Sequence, residues 1–373
     1  MAGPGEGAAS NRTAHLIMAA LPYVMIAMVT AVELMPGTEL GFLSLLALGP
    51  AFASLVGTVR RTAVIGAIAL MLSLVLGAYD DLIGTRQSFQ SLLVITGVTA
   101  ASLVATVGRQ RRERELANVR SVAEVAQRVL MRPVPRRAGH LRIAVSYTSA
   151  AADAHIGGDL YDVVTGSAGV RVIVGDVQGK GLEAVDTAAL VLSVFREAAH
   201  DEPDLLGVSS RLEKALNRRL EGEDFVTAVL LEATGVGAMT LLNYGHPAPL
   251  ILHADGRVSF AEPEETAPPL GMGTLDVEGP VPHRIRFRPG DQMLLYTDGV
   301  IEARDPEGRF YPLAERAFLL KNDNPEAALE ALRLDLVAHV AAPLHDDAAM
   351  LLLRQSGGRD LMRLGRTAAP LLG

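Results

Sequence analysis

Gly158-Asp159-Leu160-Tyr161-Asp162-Val163-Val164 is followed, across Thr165-Gly166-Ser167-Ala168-Gly169, by Val170-Arg171-Val172-Ile173-Val174-Gly175-Asp176. Two short runs rich in β-branched residues flank a glycine-containing turn, which is the pattern of a β-hairpin. With the turn centred near Ser167, Asp159 and Asp176 occupy matching positions on the two strands. Such positions face each other in an antiparallel pair, with Cα atoms about 4.5–5.5 Å apart. Clustered carboxylates repel, and one must hold a proton unless a cation neutralises them.

The pattern continues outward from this hairpin. Phe225–Glu232 and Ala238–Tyr244 read as a second hairpin, and Pro249–Leu252 pairs with Val258–Phe260 across Asp255-Gly256. Gln292–Thr297 reads as a strand ending at Asp298-Gly299, and Ala348–Arg354 as a last strand that follows Asp346-Asp347. Helices are expected at Leu182–His200, Pro203–Leu220 and Pro325–Val340. Hairpins with helices grouped between them argue for an α+β sandwich of antiparallel sheets. If the strand ending at Asp298 neighbours the strand beginning after Asp347, their acids also meet at one edge. An Asp-Gly pair taken alone is an ordinary turn signal, so the joint pattern carries the reading.

The chain has 373 residues, no Cys, no Trp and a net charge of −8. Without Cys there are no disulfides, thiolate metal sites or cysteine nucleophiles. An acidic chain is a poor general nucleic-acid binder. Lys180, Lys214 and Lys321 are its lysines, and every other basic side chain is Arg. Hard oxygen donors without Cys or a paired His motif point to Mg²⁺ or Mn²⁺ rather than Zn²⁺. His246 has no spaced His or Cys partner and reads as a structural turn residue.

A mean hydropathy of +0.27 is high, and the excess lies in residues 1–108. Ala14–Val32, Leu40–Val59, Thr62–Tyr79 and Gln87–Gly108 contain no Asp, Glu, Lys or Arg. At about 18–22 residues each, these four segments match a hydrocarbon core of about 30 Å. Arg12, Arg60, Arg61, Arg109, Arg111, Arg112 and Arg114 flank alternate ends, which predicts both termini on the cytoplasmic side of a multi-pass cell-membrane protein. Leu116, Val119, Ala123, Ala126 and Leu130 recur at spacings of 3 and 4 within the expected linker 109–138. They form either a short seam for a homodimer or one amphipathic helix lying on the following domain. Arg132-Pro133-Val134-Pro135 ends that helix.

Several stretches then occur in order: Ile156-Gly157-Gly158-Asp159, Gly175-Asp176-Val177-Gln178-Gly179-Lys180-Gly181, Asn243-Tyr244-Gly245-His246-Pro247, Pro269-Leu270-Gly271, Tyr296-Thr297-Asp298-Gly299 and His345-Asp346-Asp347. Over roughly residues 121–354 this set resembles the SpoIIE-type, or RsbU-like, branch of the metal-dependent PPM protein serine/threonine phosphatases. The resemblance implies a PPM-type four-layer αββα sandwich at 139–355, with a tail at 356–373. It implies two Mn²⁺ or Mg²⁺ ions. Asp176 would bridge them with help from the Val177 carbonyl, Asp298 and Asp346 would bind the second, and Asp159 would complete the cluster. Gly158, Asp162 and Asp347 are neighbours of that cluster. Catalysis would run through metal-bound water held by Asp176 and Asp298, with no protein nucleophile. The implied substrate is a phosphorylated regulatory protein such as an anti-sigma-factor antagonist, met at the surface of membrane lipid. Two departures stand out: Gln178 lies where eukaryotic relatives carry a His, leaving the leaving-group acid unassigned, and Ala348-Ala349 replaces an apolar-Thr pair. The rival reading is a catalytically silent phosphatase-like module, tethered to the membrane for signalling or binding.

Overall fold

The computed structural model describes residues 6–34, 42–79, 84–149, 157–220, 224–265, 267–272, 280–341, 344 and 346–356. It separates into two units, Met1–Val119 and Arg120–Gly373, a division that falls inside the expected linker.

The first unit is helical: α1 (Glu6–Glu33), a 3-10 segment Leu43–Ala47 leading into α2 (Leu48–Val56), α3 (Val59–Tyr79) and the start of α4 (Arg86–Leu130). Two segments, Val59–Tyr79 and Arg86–Glu115, are long and apolar enough to cross a membrane. Among the described residues, the shorter apolar stretches are Met18–Glu33, within the longer α1, and Leu43–Val56, and they overlap the first and second uncharged windows. Thr62, Gly66, Ala69, Ser73 and Gly77 form a buried stripe of small residues on α3. A Cβ at Gly66 would overlap the Thr99 side chain, and Thr62 Oγ1 lies 3.4 Å from Thr106 Oγ1. Small residues that let helix backbones approach are the usual packing device where lipid removes the hydrophobic drive between helices.

The second unit contains β1 (Arg137–Ala138), β2 (Leu141–Thr148), β3 (Leu160–Gly166), β4 (Gly169–Val177), α5 (Leu182–Asp201), α6 (Leu205–Leu216), β5 (Val226–Gly235), β6 (Gly237–Tyr244), β7 (Leu250–Leu252) and β8 (Val258–Phe260). It continues with β9 (His283–Phe287), β10 (Gln292–Tyr296), the single turn α7 (Asp298–Ile301), α8 (Leu313–Arg316), α9 (Pro325–Val340) and β11 (Ala348–Gln355). One sheet runs β1-β2-β11-β10-β7-β8 and the other β3-β4-β5-β6-β9, with every pairing antiparallel.

Strand alternation builds the layers. Tyr161, Val163, Val172 and Val174 enter a core between the sheets with Met293, Leu295, Leu351 and Leu353. Their neighbours Leu160, Val164 and Ile173 point the other way, onto Val191, Phe195 and Leu212 of α5 and α6. On the far sheet, Leu294, Tyr296, Met350 and Leu352 pack on Leu329, Leu332 and Leu336 of α9. Helices, sheet, sheet and helix therefore stack as the expected α+β, αββα sandwich.

The expected hairpins and the three long helices are present with small shifts at their ends. Three strands were absent from the sequence reading: the two-residue β1, β2 and β9. β2 enters sheet one between β1 and β11, and β9 closes the edge of sheet two. The β1–β2 hairpin begins at Arg137, just ahead of residue 139. Leu130 packs partly against the core beneath α5 and α6. The side chains of Leu116, Val119, Ala123 and Ala126, together with Ile156, His345 and residues 357–373, lie outside the described residues.

Candidate metal centre

The hairpin register sets the first two carboxylates. Leu160 pairs with Gly175, and Val177 N donates to Gly158 O at 3.2 Å, so Asp159 and Asp176 stand across from each other as the turn position requires. β10 and β11 are antiparallel neighbours, with Tyr296 paired to Met350. Thr297 N donates to Ala349 O at 3.1 Å, which places Asp298 beside the Asp346-Asp347 end of β11.

The two sheet ends are tied together through Asp159. Its Oδ2 accepts from Thr297 Oγ1 at 2.8 Å and from Ala349 N at 3.1 Å. Asp347 ties the chain ahead of β3 to the same place, accepting from Tyr147 Oη, from Gly157 N at 3.0 Å and from Ser149 Oγ at 3.3 Å. Close approach here needs missing side chains. A Cβ at Gly158 would overlap the Val177 carbonyl oxygen, and a Cβ at Gly299 would overlap that of Asp347. Gly299→Ala is therefore expected to destabilise the fold by about 1–3 kcal/mol, the usual cost of overpacking. An unchanged urea midpoint would contradict that packing.

The electrostatics mark a shared field. Burial pushes the Asp159 carboxyl well above the usual carboxylate range, and the charges of Asp176, Asp347 and Asp298 push it further, against the Thr297 hydrogen bond. Burial raises Asp176 to about 7, with Asp298, Asp346 and Asp347 adding to the rise and Lys180 opposing it. Asp298 is raised by burial, then by Asp346 and Glu302. Lys180 Nζ sits 3.1 Å from both carboxylate oxygens of Asp346.

Among the described residues, no three acidic or histidine side chains close around a single point as ligands would. Asp346 is held by Lys180, and the oxygens of Asp347 are taken by Tyr147, Ser149 and Gly157. The donor set nevertheless fits hard divalent ions. It consists of aspartate oxygens and the Val177 carbonyl beside Gly158, and their mutual repulsion is what a cation relieves.

Other residues have structural posts. Asp162 faces the helical layer, where Arg196 Nε donates to it at 2.5 Å while Arg196 Nη2 donates to Leu130 O at 2.8 Å. His246 is buried and lowered to about 4, chiefly by burial. Its Nε2 donates to the Tyr296 carbonyl at 3.1 Å, so Nδ1 accepts from Thr227 Oγ1 at 3.0 Å and the ring is a neutral cross-link between the two sheets. That is the structural turn histidine expected from the sequence. Gly179 and Gly181 adopt φ of 99° and 90°, and α5 opens directly after them.

Sequence reasoning gave no role to Tyr147, Thr297 or Lys180. Thr297 and Lys180 lay inside quoted motifs. Tyr147 had no signal because β2 was not read as a strand.

The family model for stage II sporulation protein E (SpoIIE) matches residues 166–356. That span contains Asp176, Asp298 and Asp346, while Asp159 precedes it. A crystal structure of the RsbU and RsbW domains of a Mycobacterium tuberculosis protein is 26% identical with a TM-score of 0.50, covering 61% of this chain and 62% of that one. The present chain thus spans less than two thirds of that relative. The SiaA-PP2C domain of Pseudomonas aeruginosa is 18% identical with a TM-score of 0.54, covering 65% of this chain and 98% of that domain, and shares the fold.

Proposed function

The chain belongs to the SpoIIE family of PP2C-type protein serine/threonine phosphatases, and from that premise we propose that it works at a membrane, removing phosphate from a regulatory phosphoprotein with two Mn²⁺ or Mg²⁺ ions. The observation that carries this reading is the shared field of Asp159, Asp176, Asp298 and Asp346, drawn from strand ends of both sheets.

Asp176, Asp298, Asp346, Asp159 and the Val177 carbonyl are the groups that would hold the ions. Bound there, two divalent ions supply Lewis acidity and neutralise phosphoryl charge for in-line attack by water. The chain's own share is positioning. Thr297 and Ala349 N fix one face of Asp159, so its free oxygen has a set direction. Asp347 anchors Gly157 and through it the loop that enters β3. No serine, histidine or lysine nucleophile is required.

Anchoring is supported by what the first unit exposes. Among the described residues, most of the large apolar side chains left exposed lie between Met18 and Val104, including Tyr23, Met28, Leu55, Val64, Met71, Leu74, Phe89 and Leu93. Apolar surface on that scale fits lipid better than water. The proposed arrangement is four membrane helices, with the Arg-flanked ends and the phosphatase unit in the cytoplasm. A substrate such as a phosphorylated anti-sigma-factor antagonist is supported by the relative that joins RsbU and RsbW domains in one protein. A homodimer through residues 116–130 is part of the same proposal.

The test is phosphate release from a phosphoserine or phosphothreonine peptide by the full chain in nanodiscs. Release is expected with Mn²⁺ or Mg²⁺ and is expected to vanish on chelation. Folded protein that releases no phosphate with either ion would leave the silent signalling module as the better account.

A further inference from the structure

Lys180 is the cation that faces the carboxylate cluster. Its Nζ contacts both oxygens of Asp346 at 3.1 Å, and the two side chains are 41% and 46% exposed. Its charge also lowers the proton affinity of Asp176 and Asp298, so its field spans the mouth of the site. Among the described residues, no other Lys or Arg pairs with Asp176, Asp298 or Asp346.

The choice of lysine is itself informative. This chain uses Arg almost everywhere it needs a positive charge. Arg would grip a carboxylate through a planar fork, whereas an ammonium is a point charge on a flexible stem that exchanges partners readily. The backbone gives that stem room. Gly179 and Gly181 hold φ of 99° and 90°, with nothing within 4 Å of where a Cβ would stand on either.

We propose that Lys180 is the substrate-phosphate anchor of this site, exchanging Asp346 for a phosphoryl oxygen once Asp346 engages an ion. This rests on the phosphatase reading above. The physical reason is competition. One carboxylate does not give both oxygens to an ammonium and also ligate a divalent cation. When the cation takes Asp346, the ammonium is left without its partner beside the site. A phosphoryl dianion replaces the lost negative charge and accepts the same hydrogen bonds.

The exchange predicts two effects of opposite sign when the lysine is neutralised. Lys180→Gln removes a competitor for Asp346, so Mn²⁺ should bind as tightly as in the wild type or more tightly. The same change removes a charge-assisted hydrogen bond to phosphate, so inorganic phosphate should bind the Mn²⁺-loaded protein about tenfold more weakly. KM for p-nitrophenyl phosphate should rise by a similar factor, with a smaller fall in kcat. Calorimetry of Mn²⁺ and of inorganic phosphate on the full chain reads both affinities without turnover. Unchanged phosphate affinity in Lys180→Gln overturns the assignment. So does a large loss of Mn²⁺ binding, which would make Lys180 only a clamp on Asp346. If the wild type releases no phosphate from any substrate yet loses phosphate binding on Lys180→Gln, the anchor stands and the enzymatic reading falls.

Discussion

Asp176→Asn is expected to lower phosphate release about a thousandfold, equivalent to about 4 kcal/mol of barrier, while making the metal-free protein more stable. The two effects share one cause. Asp176 is half-buried at the end of β4 among Asp298, Asp346 and Asp347, and its carboxyl is held at about 7 against an ordinary 3.8. Between those values the unfolded chain has released a proton that the folded chain keeps. The folded state then binds more protons, so its stability falls as pH rises from about 4 to about 7 and stays reduced above that. The neutral amide avoids this penalty. Its gain at pH 8 is on the order of 2 kcal/mol once the repulsion is shared among coupled neighbours. Thermal melts in chelator at pH 5 and pH 8 measure the gain, which should be small at pH 5. The same proton competes with cations, so Mn²⁺ affinity of the wild type should climb between pH 6 and pH 8. A substitution that leaves activity within tenfold, or that destabilises the metal-free protein at pH 8, would remove Asp176 from the centre of the site.

Arg171→Met is expected to cost about 3–5 kcal/mol, the typical result of leaving one member of a buried ion pair alone. Arg171 is 1% exposed and lies opposite Glu232 in the β4–β5 register, with Nε and Nη2 both 2.7 Å from Glu232 Oε2. Its Nη1 donates to the carbonyls of Ala199 at 3.2 Å and Glu202 at 2.7 Å. Those carbonyls sit at the C-terminal end of α5, where no further helical turn can satisfy them. One guanidinium thus pins the far end of the helix whose first turn follows Lys180. The double variant Arg171→Met with Glu232→Leu should recover part of the loss, because no uncompensated charge stays buried, although the helix end remains uncapped. Urea unfolding of both variants separates the contributions. A single variant that loses less than about 1 kcal/mol would show that water reaches Glu232.

The sandwich was largely legible because its strands carry their signals locally. In β3 and β4, Tyr161, Val163, Val172 and Val174 alternate with Leu160, Val164 and Ile173, and the glycine turn between the strands fixes their register. The facing of Asp159 and Asp176 followed from that register alone. Asp298 and Asp347 were placed together only on the condition that β10 and β11 pair, and that condition is nonlocal. Sequence reading missed β2 because Leu141–Thr148 lacks a hairpin partner of useful length nearby. It pairs with β1 over two residues and otherwise with β11, about two hundred positions away. Tyr147 was lost with it. The buried charge of Arg171 stood out within an apolar strand, but its partner Glu232 lies on β5, beyond any local pattern. Of the four uncharged windows, the third and fourth fall in the two long apolar helices, and the second is divided where the 3-10 segment Leu43–Ala47 passes into α2.

The place of β11 has a consequence for how the protein is made. Emerging late in synthesis, β11 must slot between β2 and β10, and it supplies Ala349 N to an Asp159 that left the ribosome 190 residues earlier. At about 5–20 residues per second, that interval lasts on the order of 10–40 s. Throughout it the nascent chain holds a half-built sheet and an unpaired buried acid. The apolar helices α1 to α3 precede this domain in the chain and emerge before β11 does. Under the membrane anchoring proposed above, catalytic competence would be acquired only after insertion is under way, and the order of synthesis would keep enzyme assembled away from its proper surface to a minimum.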